Sequence, residues 1–393
     1  MSENYSFNSM IGNVNTINLI KRQLENNTFN NMTLFSGLYG TGKSTSAKIV
    51  AMRLTCENPN GANPCCECPT CKHNIQAFSA TGASSCVKIV NFGTFLGKED
   101  VTDLIKDIFI LRQTEKPIVY VFEEAHALKD LKGAQTAFLT EIDRMPKNTY
   151  VIMCTTNEKA IIPELLSRTI KFQFNRLSKV ERQTLIKLVS NESLNPLVAE
   201  LIAKYSDGIP RNIINSVQFV MNNQISIEEY KEYIQYISDE TIGLLFNTMH
   251  DPDITKFIDI CNELLNNREP GKILYSIKEF LLNALFQKEG TNTDVSSLGA
   301  LAIDEALTIE NINKCFSILD KYNQNLSEVD LQFMLYKMRL VIQSRTITNV
   351  ITESSEVAST VAVSVNQEKA IMQRSMPQKG LKPLDITKLG SFS

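Results

Sequence analysis

Gly37-Leu38-Tyr39-Gly40-Thr41-Gly42-Lys43-Ser44 fits the spacing G-x-x-x-x-G-K-[ST], in which backbone N–H groups wrap phosphate oxygens. Gly37, Gly40, Thr41 and Gly42 then form the cradle, and the N-terminus of a following helix adds its positive dipole end. Lys43 reaches the β- and γ-phosphates, Ser44 offers its hydroxyl to Mg²⁺, and Thr45 stands beside it at the helix start. Further on, Ile118-Val119-Tyr120-Val121-Phe122-Glu123-Glu124 is an apolar strand that ends in two carboxylates. That pair suits phosphoryl transfer: Glu123 holds Mg²⁺ through water, and Glu124 polarises the attacking water. The second group with chemical spacing is Cys56-x8-Cys65-x2-Cys68-x2-Cys71, four of the nine cysteines. Four thiolates with two C-x2-C steps suit tetrahedral Zn²⁺ at about 2.3 Å, with no open position for catalysis, so the site would be structural. Cys66 inside one step and His73 just beyond it are alternative ligands. Cys86, Cys154, Cys261 and Cys315 read as ordinary buried thiols.

Positioning these groups takes a domain with its own core, and the 393 residues, 43% hydrophobic and 21% charged, are ordinary globular composition for two to four domains. The net charge of −3 gives no global attraction to phosphate, so any nucleic-acid contact must come from a local patch or from assembly geometry. The start, MSENYSFNSM, carries no cationic, apolar leader, and no stretch approaches the roughly 18 apolar residues of a membrane span. A cytoplasmic chain is expected, with cysteines as metal ligands or thiols and not as a disulfide framework.

Up to residue 175, apolar strands alternate with helical patterns, which predicts an α/β domain on a mainly parallel sheet. Four strands read directly: Thr33 to Ser36, Val87 to Asn91, Ile118 to Phe122 and Tyr150 to Cys154. Ligands of such sheets sit at the carboxyl ends of the strands, where the glycine loop and both acids fall. The helix after the loop keeps Ala47, Val50, Ala51 and Leu54 on one face, as a helix docked on a sheet requires. Residues 176–238 read as a helical lid broken at Ser206-Asp207-Gly208-Ile209-Pro210. Residues 239–348 read as a helical collar, with long segments such as Ile273 to Phe286. Residues 349–393 lose helical periodicity and read as a disordered tail.

A phosphate loop followed by this four-cysteine spacing resembles the clamp-loader gamma/tau family of bacterial DNA polymerase III, which are AAA+ ATPases. The likeness continues in order. Phe7 with Ile11-Gly12 resembles the family's adenine-side segment, and Glu123-Glu124-Ala125-His126 stands in place of its Asp-Glu-x-His. Cys154-Thr155-Thr156 resembles the sensor 1 strand end, Leu166-Ser167-Arg168-Thr169 the Ser-Arg-Cys arginine-finger motif, and Gly208-Ile209-Pro210-Arg211 sensor 2. The resemblance implies ATP, Mg²⁺ and Zn²⁺ as cofactors and Thr156 as a sensing hydroxyl. It further implies Arg168 as a finger reaching a neighbouring subunit's γ-phosphate and Arg211 as a nucleotide contact. It also implies a collar joining a pentamer with other loader subunits, which opens a ring-shaped sliding clamp and releases it on primer-template DNA. Lys129, Lys132 and Thr136 fall where the family faces the duplex, and a solvated helix face explains those lysines equally well. Phe92, Phe95 and Leu96 read as clamp contacts or core, and His126 as a site residue or a satisfied core histidine.

The chain departs from the family at four places. Glu123 is one methylene longer than the usual Asp, Thr169 replaces the cysteine, the basic arm before Phe7 is missing, and the tail is too short for tau's additional domains. The short gamma form is the nearer likeness. Three other function classes are weighed against it. A non-hydrolysing stator subunit should carry a damaged phosphate loop, and this one is intact. A zinc-stabilised DNA-binding adaptor would have no use for Glu124 and Arg168. A helicase loader or branch-migration motor would not be expected to carry the four-cysteine insertion.

Overall fold

The computed structural model of the chain describes residues 5–80, 84–94, 116–129, 135–136, 138–139, 145–266, 268–290, 307–322 and 326–351. They belong to two compact units, Met1–Tyr230 and Lys231–Ser393.

The first unit is built on five strands, β1 (Met32–Gly37), β2 (Val87–Asn91), β3 (Ile118–Glu123), β4 (Thr149–Thr155) and β5 (Ile170–Phe174). All pair in parallel, in the order β2-β3-β4-β1-β5. Four are the strands expected from composition, and β5 is an addition. Side chains alternate between two buried faces, as a sheet covered on both sides requires. Phe35, Val119, Val121, Ile152 and Cys154 enter one apolar cluster. Their neighbours Leu34, Tyr120, Phe122, Val151 and Met153 enter the other. The two central strands β1 and β4 carry the acids' strand, β3, and the edge strand β5 on either side. The carboxyl ends of β1, β3 and β4 therefore open at one edge of the sheet.

Three helices cover the first cluster: α1 (Val14–Glu25), α2 (Lys43–Thr55) and α3 (Pro69–Ala80). Ala47, Val50 and Ala51 are fully buried as their spacing predicts, whereas Leu54 is only half-buried and Ile49 and Met52 are buried instead. The physical reason is that α1 and α3 both pack against α2, so burial extends beyond the stripe that faces the sheet. Buried Asn74 of α3 ties these pieces together: its Nδ2 donates to Thr55 Oγ1 of α2 (3.1 Å), and its Oδ1 accepts from Ser84 Oγ before β2 (2.5 Å).

After the short α4 (Pro163–Leu166) and β5 come α5 (Lys179–Ser190), α6 (Pro196–Tyr205) and α7 (Pro210–Asn223). Ser178 and Glu181 form a capping box at the start of α5, and Pro begins α6 and α7, where its missing N–H costs nothing. The expected break at 206–210 separates α6 from α7, and Gly208 O there accepts the Leu177 N–H (2.7 Å). A further helix, α8 (Ile227–Tyr233), spans the division between the units.

In the second unit, α9 (Asp239–His250), α10 (Ile254–Leu265), α11 (Pro270–Lys288), α12 (Ile309–Leu319) and α13 (Glu328–Ile351) enclose one apolar core. The Phe246 and Phe280 rings stack in it at 5.7 Å. Arg339 is fully buried there, with Nη2 donating to Asp251 O (2.7 Å) and the guanidinium 5.5 Å from the Phe257 ring centre. Helix α13 runs on past 348 to Ile351, and the remainder of the expected tail, 352–393, lies outside the described residues. Among the described residues no helix is long and apolar enough to cross a membrane. Cys154, Cys261 and Cys315 are buried thiols as expected, whereas Cys86 is only half-buried.

Candidate active site and metal centre

The loop between β1 and α2 is forced by close approach. At Gly37 (φ 151°) an added Cβ would meet Phe174 O of β5 at 2.1 Å. At Gly40 (φ 75°) it would lie 2.9 Å from Ile209 Cγ2 and 3.0 Å from Arg211 Cβ. Glycine at these positions lets the loop pass between the end of β5 and the start of α7. Thr41 Oγ1 donates to Leu38 O (2.8 Å) and fixes the turn. Lys43 begins α2 and is buried, with Nζ donating to Gly37 O (2.8 Å) and Leu38 O (2.6 Å). Burial pulls its ammonium below the ordinary lysine range; nearby Arg211 adds to this and Glu123 opposes it.

Around this loop opens a cleft of about 590 Å³. Gly40, Gly42, Lys43, Ser44 and Thr45 line one side of it, and Glu123, Glu124 and Thr156 another, with Arg211 from the start of α7. Residues far apart in the chain are thus brought together, while Gly37 and Thr41 of the loop are not among the lining residues. Glu124 holds a left-handed backbone (φ 52°) where the chain turns out of β3. The Arg211 guanidinium lies 4.4 Å from the centre of the Tyr39 ring, and its backbone N–H donates to Gly40 O (3.3 Å). A positive group is therefore stacked and tethered directly over the phosphate-type loop.

Arg168 is not among the cleft's lining residues. It is exposed after α4, with Nη1 donating to Glu164 O (3.1 Å). Lys129 and Thr136 line a separate hollow of about 310 Å³ with Lys159, Ile161 and Pro163. Gln135 stiffens that hollow, donating to Ala160 O (2.9 Å) and accepting from the Ile162 N–H (2.8 Å). Lys132, Phe95 and Leu96 lie outside the described residues, and Phe92 is buried against Phe122 in the sheet's second cluster.

Several cleft residues went unread. Tyr5, not Phe7, faces the cleft, while Phe7 is buried in the core behind it. Asn91, Lys48 and Asn215 also line it, as does His126, which the sequence left open as a site residue or a core histidine. Asn91 had a readable signal only in hindsight of register, because it ends β2 directly beside Glu123. An added Cβ at Gly93, two residues on, would lie 2.5 Å from Glu124 Oε2, so the β2 end and Glu124 are in close contact.

The four cysteines also converge. The sulfurs of Cys56, Cys65, Cys68 and Cys71 all lie within 4.8 Å of one another. Cys56 and Cys65 are 3.4 Å apart and Cys65 and Cys71 4.0 Å, close to the edge of about 3.8 Å of a tetrahedron with 2.3 Å metal–sulfur bonds. Backbone N–H groups of Cys65, Cys68 and Cys71 donate to the sulfurs of Cys56, Cys65 and Cys68, at 3.3, 3.3 and 3.4 Å. Burial alone would raise the Cys65 thiol, but amides of Cys68 and Glu67 donate to it and bring it down to about 6. At Cys56 and Cys71 burial dominates and pushes the thiols up. Cys66 turns away, its sulfur 3.8 Å from Tyr5 O, and His73 is exposed; neither joins the cluster.

The sheet order, the loop after β1, the carboxylates after β3 and the following helices define an AAA+ P-loop fold with an inserted four-cysteine module and a helical C-terminal region. A family model described as DNA polymerase III, delta subunit, matches residues 12–178. The tau subunit of DNA polymerase III from Bacillus subtilis is 24% identical over 349 residues, covering 85% of this chain. The chain spans only 61% of that relative's length. A gamma subunit from Buchnera aphidicola (subsp. Schizaphis graminum) is 23% identical over 344 residues, covering 82% of this chain and 90% of the relative. Among solved structures, the RuvB Holliday junction branch migration motor of Thermotoga maritima matches at 18% identity and a TM-score of 0.42, covering 76% of this chain and 89% of that one. The chain is thus similar in sequence to DNA polymerase III gamma and tau subunits over most of its length, as the motifs indicated.

The cysteine geometry leads to a direct expectation. Full-length protein purified without chelator should contain about one zinc per chain by elemental analysis, and Cys68→Ser should lower both zinc content and thermal stability. A fully folded, zinc-free preparation would refute the metal assignment.

Proposed function

We propose that this chain is an ATP-hydrolysing motor subunit of a sliding-clamp loader, which opens a ring-shaped clamp and leaves it on primer-template DNA. The observation that carries this reading is the cleft itself, in which a buried lysine, two carboxylates, a hydroxyl and an arginine from four separate chain segments converge around an intact phosphate-type loop. A stator subunit would have no need of that convergence. The relatives' names point the same way.

In the proposed cycle, backbone N–H groups of residues 37–44 and the Lys43 ammonium hold the triphosphate, and its burial strengthens each of those contacts. Ser44 and Glu123 would hold Mg²⁺, which would neutralise phosphate charge when bound. Glu124 orients and polarises the attacking water, Thr156 contacts the γ-phosphate end, and Arg211, already stacked on Tyr39, closes the cleft from the α7 side. Arg168, exposed outside its own cleft, serves the nucleotide of an adjacent subunit. Residues 1–175 act as the ATPase domain, 176–238 as the lid and 239–348 as the collar of a pentamer of loader subunits. Lys129, Lys132 and Thr136 face the DNA, zinc bound by the four cysteines braces the ATPase domain, and the complex works in the cytoplasm.

Three substitutions test the roles. Lys43→Ala should abolish ATP binding. Glu124→Gln should keep binding while hydrolysis falls by two or more orders of magnitude, because the lost carboxylate acts on water and not on phosphate. Normal hydrolysis by Glu124→Gln would contradict the assignment. Glu123→Asp should leave hydrolysis intact or raise it.

The trans role of Arg168 is tested by mixing. Guanidinium binds phosphate oxygens in a planar fork, and fingers of this kind contribute on the order of 10³ to 10⁵ in rate. Arg168→Ala chains combined with Lys43→Ala chains should regain activity that neither shows alone, since some interfaces then carry one good half from each. A co-assembled mixture that stays inactive would contradict the trans role.

A further inference from the structure

The four-cysteine insert is attached to the wall of the nucleotide cleft by three separate contacts. Asn63, in the loop between Cys56 and Cys65, accepts the Phe7 N–H (2.8 Å) and the Ser6 hydroxyl (3.2 Å) on a single Oδ1. Asn63 is itself pinned by a two-way backbone pair with Asn60, at 2.9 and 3.0 Å. Cys66, between two of the metal-type cysteines, directs its sulfur to Tyr5 O at 3.8 Å. Phe78, on the helix that starts with Cys71 in its first turn, meets the Tyr5 ring at 5.8 Å and lies 5.7 Å from the Lys48 ammonium. Tyr5 and Lys48 both line the cleft. Behind them Tyr5, Phe7, Ala62, Cys68 and Cys71 share one buried cluster with Ala47, Val50 and Ala51 of the helix that begins at Lys43.

From this arrangement we infer that Asn63 and Phe78 are positioning residues for the Tyr5–Phe7 wall, so that metal loading of the four-cysteine insert and nucleotide affinity are thermodynamically linked. The insert lacks a core of its own and depends on its cysteine centre for order. When that order is lost, Asn63 and Phe78 no longer present fixed partners, and Tyr5 leaves the cleft edge. The linkage is reciprocal, so nucleotide in the cleft favours the ordered, metal-loaded insert by the same factor. The inference rests on the proposed nucleotide and zinc sites and adds a coupling between them.

The test is equilibrium binding of a fluorescent ATP analogue to the full chain, together with zinc content by elemental analysis and hydrogen exchange at the Phe7 amide. Asn63→Ala should keep its zinc and fold yet bind the analogue on the order of tenfold more weakly, the scale of losing hydrogen bonds that order the wall. Its Phe7 amide should exchange faster. Asn63→Asp, which keeps the acceptor oxygen, should restore both readouts, a rescue that a merely structural position would not give. Removing zinc from the wild-type chain should weaken binding by a similar factor and leave Asn63→Ala little changed. Wild-type affinity in zinc-loaded Asn63→Ala, with the Phe7 amide exposed, would overturn the linkage. Lys43→Ala separates the two levels of the argument. If it binds the analogue as well as wild type, the cleft reading has failed, whereas loss in Lys43→Ala with no loss in Asn63→Ala removes the coupling alone.

Discussion

The backbone between β1 and α2 has to pass between Phe174 at the end of β5 and Ile209–Arg211 at the start of α7, and that passage leaves no room for a side chain at Gly37 or Gly40. Much of the first unit follows from it. The loop leaves β1 at a strand flanked by β4 and β5, so that its start is held on both sides. Arg211 can stack on Tyr39 only because the Gly40 carbonyl accepts its backbone N–H. The same closeness joins the phosphate-type loop to the helices after β5: a movement of α7 is a movement of the cleft's cationic wall.

What was legible in the sequence was whatever chemistry is written in consecutive residues. The glycine loop, the Glu123-Glu124 strand end and the Cys56–Cys71 spacing each announce themselves within a few positions, and the structure brings their members together. Strands β1, β3 and β4 were legible because burial on both faces makes a nearly continuous apolar run, and the edge strand β2 was legible from its β-branched Val87, Ile89 and Val90. Strand β5 was not, since Ile170, Lys171 and Gln173 are exposed and only Phe172 and Phe174 face the core, the pattern of an edge. Tyr5, Asn91 and Asn215 were missed for a different reason. Their place in the cleft depends on the register of β2 on β3, on the packing of α7 and on the N-terminal segment lying against the cysteine insert, none of which leaves a local trace. Leu54 was placed too deep because spacing shows which face of a helix is apolar but not how many neighbours surround it.

The second unit carries no motif of comparable clarity, and its physics is that of a helical core. The one charged side chain buried there among the described residues is Arg339, held by the Asp251 carbonyl and the Phe257 ring. A guanidinium fixed there by directional contacts constrains how α13 sits against the α9–α10 turn more narrowly than aliphatic packing alone would.

The central claim is that the cleft's hydrolysis serves the placement of a ring on DNA, and steady-state ATP turnover by the assembled loader measures this most directly. The chain with its partner subunits should hydrolyse ATP slowly alone, faster with primer-template DNA, and fastest with DNA and the cognate clamp together, with the clamp recovered on the DNA. A turnover rate indifferent to both DNA and clamp, in an assembly shown to be intact, would contradict the account.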